Sequence, residues 1–304
     1  AGVTGRAASV DNGNTVCDFD PEEIRRQVSI SCAVAPLEWK GCKFNCIDTP
    51  GLLDFEGAQL EGLRAADSAV IVVSGKAGVD VGTEKAWHSA LGAHMPRAFF
   101  VSRLDDADSD FYRVFEELKA AFGAAVCPVL VPFPGEGGAA AQAPMPESDH
   151  RLQGLVTAIS EAVAETDDTL FEKYFSGTAF TREELIAGVH AGLREGSIAP
   201  VFCGSALTGA GIPALLDGIA DIFPGADANL PAGLPKGAGE TGPTAAFVFK
   251  TVADPFVGKL SYLRVYSGSV RGDEPLRNSR TGQTEKIGKL CLLRGKKQMD
   301  TDRL

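Results

Sequence analysis

The sequence predicts an α/β fold: a mostly parallel sheet with helices on both faces, followed by a smaller all-β portion. Three observations carry this. Between residues 43 and 131 short apolar runs alternate with segments of helical period, the signature of strands joined by crossover helices. Three of the apolar runs stop at small or acidic residues, as expected at a sheet edge that binds a ligand. From Ala245 the period changes to short β runs broken by Gly and Pro. A chain of 304 residues allows about two domains, each with ample core.

Taken in order, residues 1–35 hold few apolar runs, with Asp18, Asp20, Glu22 and Glu23 ahead of Arg25 and Arg26. This reads as a mobile loop entering a strand. Strands are then expected at 43–47, 69–74, 98–101 and 126–131, with helices at 57–66, 83–93 and 110–122. Between 133 and 197 the pattern breaks. A run of small residues from Pro134 to Pro144 cannot bury a core, and helical patterns follow at 152–165, 168–175 and 182–195. Thr181 precedes Glu184 by three, a capping-box spacing for the last of these. A helix at 212–222 closes the first domain, and the Pro- and Gly-rich stretch 224–240 is a linker. The β runs after it are expected at 245–252, 259–265 and 286–293.

Bulk properties narrow the function. A net charge of −11 argues against non-specific nucleic-acid binding through phosphate neutralisation. Contact with RNA would rest on local basic spots such as Arg294, Lys296 and Lys297, which solvation explains equally well. No apolar run approaches the ~20 residues needed to cross a bilayer. Seven scattered cysteines suit reduced thiols in a cytoplasm rather than a disulfide framework. Cys42 and Cys46 face one side of a strand, but no histidine or second pair completes a zinc site. His88, His94, His150 and His190 form no cluster and read as surface or helix-packing residues.

The stretch Phe44-Asn45-Cys46-Ile47-Asp48-Thr49-Pro50-Gly51 is the most informative. A strand ending in Asp-x-x-Gly suits a nucleoside-triphosphate switch. The carboxylate can hold a magnesium-bound water, and glycine lets its N–H approach the terminal phosphate. Ordinary turn chemistry explains the same residues. Two further strand ends add weight: Ala98-Phe99-Phe100-Val101 runs into Ser102-Arg103-Leu104-Asp105, and Pro200-Val201-Phe202-Cys203-Gly204 into Ser205-Ala206-Leu207.

Together these three segments resemble the metal-and-phosphate, guanine-Asp and Ser-Ala-Leu motifs of translational GTPases. Leu60-Glu61-Gly62-Leu63-Arg64-Ala65-Ala66-Asp67-Ser68-Ala69-Val70, Gly78-Val79-Asp80-Val81-Gly82-Thr83-Glu84 and Asp110-Phe111-Tyr112-Arg113-Val114 resemble elongation factor G. So do Val252-Ala253-Asp254-Pro255-Phe256-Val257-Gly258-Lys259-Leu260 and Arg264-Val265-Tyr266-Ser267-Gly268. The likeness covers nearly the whole chain and looks like the divergent elongation-factor-G-like branch. It implies a GTPase-type domain over 1–223 with an inserted subdomain at about 133–197, a linker at 224–240, and part of a β-barrel second domain at 241–304. It also implies that the natural protein begins upstream of Ala1, and that the barrel is incomplete here.

The resemblance implies GTP or GDP and Mg2+ as ligands, and a ribosomal partner of rRNA and ribosomal proteins near the factor site. It implies a monomeric cytoplasmic factor that uses neither DNA nor a membrane. Asp48 would hold Mg2+ through water, with Thr49 and Pro50 beside it and Gly51 N–H meeting the γ-phosphate. Ser29, in Arg26-Gln27-Val28-Ser29-Ile30-Ser31, stands where the family has a magnesium-ligating threonine; a plain strand-edge serine is the alternative. Asp105 would accept guanine N1–H and the exocyclic amine, with Arg103 along the base and Ser205, Ala206 and Leu207 closing the pocket. The family has asparagine at Ser102, which is too short to span the same distance.

Two departures stand out. The family's water-positioning histidine is Leu52 here, which can neither donate nor accept a hydrogen bond. No Gly-x-x-x-x-Gly-Lys-Ser/Thr occurs, and Ser74-Gly75-Lys76 does not supply one, so the phosphate nest is not in these residues. Two functions are compatible with this: a ribosome-associated GTP hydrolase acting in translocation or recycling, or a guanine-nucleotide-binding ribosome-docking protein with little or no hydrolysis. A pseudo-GTPase that binds no nucleotide is a third.

Overall fold

The computed structural model describes residues 8–131, 139–140, 150–226, 228, 233–234, 239, 241–254 and 258–304. The chain divides into two compact units, Ala1–Glu38 with Lys43–Ala66 and Ala226–Leu304, and Trp39–Cys42 with Asp67–Gly225. Among the described residues no helix is long and apolar enough to cross a membrane.

The first unit opens with α1 (Pro21–Arg26), a short helix inside the segment that the sequence reads as loop. Its signal is local: Asp20 caps the backbone N–H of Glu22 at 2.8 Å, Pro21 sits in the first turn, and Glu23 reaches back to Asp20 N at 3.1 Å. Strands β1 (Ala33–Trp39) and β2 (Cys42–Asp48) form a two-stranded sheet. They turn at Lys40-Gly41, both at positive φ (47° and 77°), the pattern of a tight hairpin turn. Helix α2 (Glu56–Ala65) follows.

The second unit is the α/β layer. Its elements are β3 (Ala69–Ser74), α3 (Val81–Gly92), β4 (Arg97–Ser102), α4 (Phe111–Phe122) and β5 (Val126–Pro128). After β6 (Leu130–Val131) and β7 (Ala139–Ala140) come α5 (His150–Ala164), α6 (Asp168–Phe175), α7 (Arg182–Glu195), β8 (Ala199–Cys203) and α8 (Ile212–Ile222). Four strands pair in parallel in the order β3-β4-β8-β5, whereas the strand expected at 43–47 pairs instead with β1 in the separate two-stranded sheet. Every residue of β4 and β8 is buried, which is why both read as unbroken apolar runs. The expected strand 126–131 is split: Pro128 closes the ladder with β8, and Leu130 and Val131 pair with Ala140 and Ala139.

In α4, Phe111, Val114, Phe115 and Leu118 are buried at helical spacing, and Asp110 caps Arg113 N at 3.1 Å. Trp87, Phe99 and Phe122 stack with centroids 4.8–5.3 Å apart, and the Arg97 guanidinium lies 4.1 Å from the Trp87 centroid. Helices α5, α6 and α7 lie where helical patterns are expected, and the Thr181–Glu184 capping box forms in both directions, at 2.7 and 3.2 Å. Most of the small-residue stretch 133–144 lies outside the described residues. His88 is exposed and contacts the Glu84 carbonyl of its own helix, and His190 contacts the Ile222 carbonyl, in keeping with a surface and a helix-packing residue respectively. At the hairpin tip, Trp39 Nε1 donates to Asp217 on α8 at 2.6 Å, and Lys40 pairs with the same carboxylate at 2.8 Å.

The remaining strands belong to the first unit. β9 (Ala245–Asp254) and β10 (Gly258–Ser267) make a long antiparallel ribbon with a bulge at Tyr262/Leu263. Two short antiparallel pairs follow, β11 (Pro275–Arg277) with β12 (Thr284–Lys286), and β13 (Leu290–Arg294) with β14 (Lys297–Thr301). The single run expected at 286–293 is therefore the end of one strand and most of another.

Candidate functional site

The predicted site residues fall into two groups, one in each unit. The first group gathers at the end of β2. Asp48 is its last residue, Pro50 is buried, and Gly51 is exposed. Leu52 is 49% exposed, and its carbonyl accepts Phe55 N at 3.0 Å to start a single 3₁₀ turn. Its side chain supplies only hydrocarbon. Helix α2 crosses directly over this strand end, because a Cβ on Gly62 would lie 2.5 Å from Thr49 Cγ2.

Ser29 approaches the same place from the loop after α1. Its hydroxyl donates to Asp18 Oδ1 at 2.7 Å. Asp18 in turn lies close enough to Asp48 to raise its pKa. That rise comes first from desolvation by crowding protein atoms, then from the Asp18 charge; a hydrogen bond from the Cys17 thiol opposes it. Although Asp48 keeps solvent access, its neighbours displace part of the water that would stabilise its charge. Burial and the Asp48 charge push the Cys17 thiol up to about 12, so it stays protonated. Glu23, only 2% exposed, organises the loop by accepting Ile30 N at 3.0 Å and Ser31 N at 3.1 Å.

Among the described residues no group of three or more His, Cys, Asp and Glu side chains could hold a metal by itself. The donor set of Asp18, Asp48 and the Ser29 hydroxyl nevertheless fits Mg2+, a hard cation that keeps several waters and takes few protein oxygens. A bound cation would relieve the desolvation and the carboxylate repulsion that raise the Asp48 pKa. Ser29 gives its proton to Asp18 and so keeps lone pairs for a cation. Sequence reasoning missed Asp18 and Cys17 as members of this cluster. The only signal was the acidic run in which Asp18 stands.

The second group lies at the ends of β4 and β8. Ser102 closes β4 and is 9% exposed, while Arg103 is exposed in the left-handed region at φ 63°. The strain is held by its carbonyl, which accepts Ser109 Oγ at 2.7 Å and Asp106 N at 3.0 Å. Asp105 is exposed. Leu104 N donates to Gly204 O at 3.2 Å and ties this loop to the one carrying Ser205. Gly204 admits no side chain, since a Cβ would sit 2.1 Å from Ala210 O. Ser205 is 1% exposed, and its hydroxyl accepts Leu207 N at 3.1 Å and Thr208 N at 3.2 Å, so its oxygen shapes its own turn. Ala206 and Leu207 are exposed on that turn. Lys76 has a different task from a phosphate-loop lysine: its ammonium pairs with Asp108 at 2.7 Å.

Residues 1–225 match the family model described as the elongation factor Tu GTP binding domain, and residues 243–304 match elongation factor G domain 2. Proteins described as elongation factor G-like, from the CDC 1551 and H37Rv strains of Mycobacterium tuberculosis, are each 35% identical over 299 residues. Those alignments cover 90% of this chain and 42% of each relative. A crystal structure of a protein from Thermus thermophilus superposes with a TM-score of 0.86 at 30% identity, covering 100% of this chain and 47% of that one. The chain thus spans about half the length of the relatives it matches.

Proposed function

This chain belongs to the elongation factor G family of translational GTPases, and from that premise we propose that it is the GTP–Mg2+ switch portion of a factor acting on the ribosome. The carrying observation is the Ser29–Asp18–Asp48 cluster, which sets a hydroxyl and two carboxylates beside the Asp-x-x-Gly turn. Bound Mg2+ would neutralise developing phosphate charge there. Ser29 and Asp48 would hold it, with Asp18 fixing the Ser29 hydroxyl, and Gly51 N–H would meet the γ-phosphate. In the other unit Asp105 would read guanine, Arg103 would flank the base, and the Ser205 turn would present Ala206 and Leu207.

Residues 1–223 would form the GTP-binding domain with its insertion at about 133–197. Residues 241–304 would be the start of the second, barrel-type domain, reached through 224–240. The partners would be rRNA and ribosomal proteins in the cytoplasm, and the role translocation or recycling.

A second reading, a nucleotide-dependent docking protein with little hydrolysis, is favoured by Leu52, whose exposed side chain can align no water. Single-turnover GTP hydrolysis by the full-length natural protein, with and without ribosomes, separates the two. Ribosome-stimulated turnover supports the enzyme. Guanine-nucleotide-dependent ribosome binding without turnover supports the docking protein. Failure to bind either ligand overturns both.

A further inference from the structure

Lys250 is a buried ammonium with no role in the site just described. It sits on β9 with 7% of its surface exposed, yet Nζ points out of the ribbon to the loop that carries Ser29. It donates to Cys32 O at 2.5 Å and to Ser31 Oγ at 3.1 Å. Its cross-strand partner on β10 is Tyr262, whose ring centroid lies 5.3 Å from Nζ. Burying a lysine among neutral oxygens is costly, and a cation kept for packing alone would ordinarily be replaced by an apolar side chain.

The other side of the same residue is also held. Ser31 N donates to Glu23, and Ile30 N donates to the same carboxylate oxygen. Ser31 is therefore clamped by a buried carboxylate from α1 and a buried ammonium from the β9–β10 ribbon, two residues from Ser29. We propose that Lys250 is a positioning residue: by fixing Ser31 and Cys32 it sets where the Ser29 hydroxyl stands for Mg2+. The strand ribbon matched to elongation factor G domain 2 would then act on the metal site through one side chain. This rests on the assignment of Ser29 given above, but the clamp itself can be tested without nucleotide.

The experiment uses the full-length natural protein, with Lys250→Met, Lys250→Arg and Ser31→Ala. Hydrogen exchange is read without nucleotide at the Ile30 and Ser31 amides, with β13–β14 as internal reference. Loss of a charge-assisted bond predicts about tenfold faster exchange at Ile30 and Ser31 in Lys250→Met, with β13–β14 unchanged and Lys250→Arg near wild type. In GTP turnover the Mg2+ concentration for half-maximal rate should rise about tenfold, with the rate at saturating Mg2+ within about twofold of wild type. If Lys250→Met does not fold, Ser31→Ala removes one acceptor without touching the ribbon and should speed Ile30 exchange. Unchanged exchange at Ile30 in the folded variants overturns the clamp. Faster exchange with an unmoved Mg2+ requirement overturns its role toward Ser29. Absence of GTP turnover in the wild type counts against the proposed function, while the exchange result still decides the clamp.

Discussion

Gly62 packs directly on Thr49: a Cβ on the helix glycine would lie 2.5 Å from the Thr49 methyl and 3.3 Å from Ile47 Cγ2. That contact seats α2 on the end of β2, next to Asp48. Gly62→Ala should therefore destabilise the protein by about 1–3 kcal/mol through overpacking, despite the better helix propensity of alanine. Urea denaturation of the two proteins measures it. An alanine variant as stable as wild type would mean that α2 does not rest on this strand.

Asp48 predicts a stability gain from a mutation that harms function. Its folded pKa is raised, so the native state holds a proton more tightly than the unfolded chain. Above that pKa the charged carboxylate is a liability, and the liability fades as pH falls through it. Asp48→Asn should raise the melting temperature at neutral pH when no Mg2+ is present, and the gain should shrink in acid. The same variant should lose Mg2+-dependent GTP binding. Equal melting temperatures at neutral pH would contradict the desolvation of the Asp48 carboxylate and, after it, its repulsion by Asp18.

Asp105 should decide which base is bound. In the full-length protein Asp105→Asn should move preference from guanine toward xanthine nucleotides, because an amide can donate to the 2-oxo group that a carboxylate repels. Competition of GDP, XDP and ATP for a fluorescent nucleotide reads the change. Equal competition by ATP in the wild type would remove Asp105 from the base pocket.

The 304-residue chain alone should bind GDP far more weakly than micromolar, since it contains no phosphate-loop motif. A calorimetric titration giving sub-micromolar affinity would refute this.

Leu52→His should raise ribosome-stimulated GTP hydrolysis. A positioned acid–base group is worth ~10²–10⁴ in rate, although a histidine added outside its usual setting should recover only part of that. Single-turnover rates of the two proteins provide the comparison, and a wild type as fast as the variant would show that position 52 does not align the water.

The sheet was legible because β4 and β8 are buried on both faces and so spell continuous apolar runs. Helices α5, α6 and α7 were legible through their helical patterns, and α7 also through its Thr181–Glu184 capping box. What escaped were elements held by single polar contacts. Helix α1 is six residues long and depends on Asp20 and Glu23. Strand β14 is polar, with Lys297 and Gln298 exposed, and carries no apolar alternation to announce it. In the candidate site, the strand-end positions of Asp48, Asp105 and Ser205 were readable from where the apolar runs stop. Asp18 and Lys250 were not, since one reaches Ser29 across a loop and the other comes from 219 residues away from Ser31.

The chain has two tryptophans, and they occupy opposite photophysical settings. Trp87 is stacked between rings under a guanidinium and is 6% exposed, so its emission should be fixed and blue-shifted. Trp39 is half-buried at the hairpin tip, with its indole N–H on the Asp217 carboxylate. Hydrogen bonds from Lys40 and Trp39 hold that carboxyl below its usual range, so the indole stays paired with an ionised acid well into mild acid. Light from Trp39 then reports whether the tip remains moored to α8, against Trp87 as an internal constant. The protein thus carries its own label for following this hairpin tip, without any added dye.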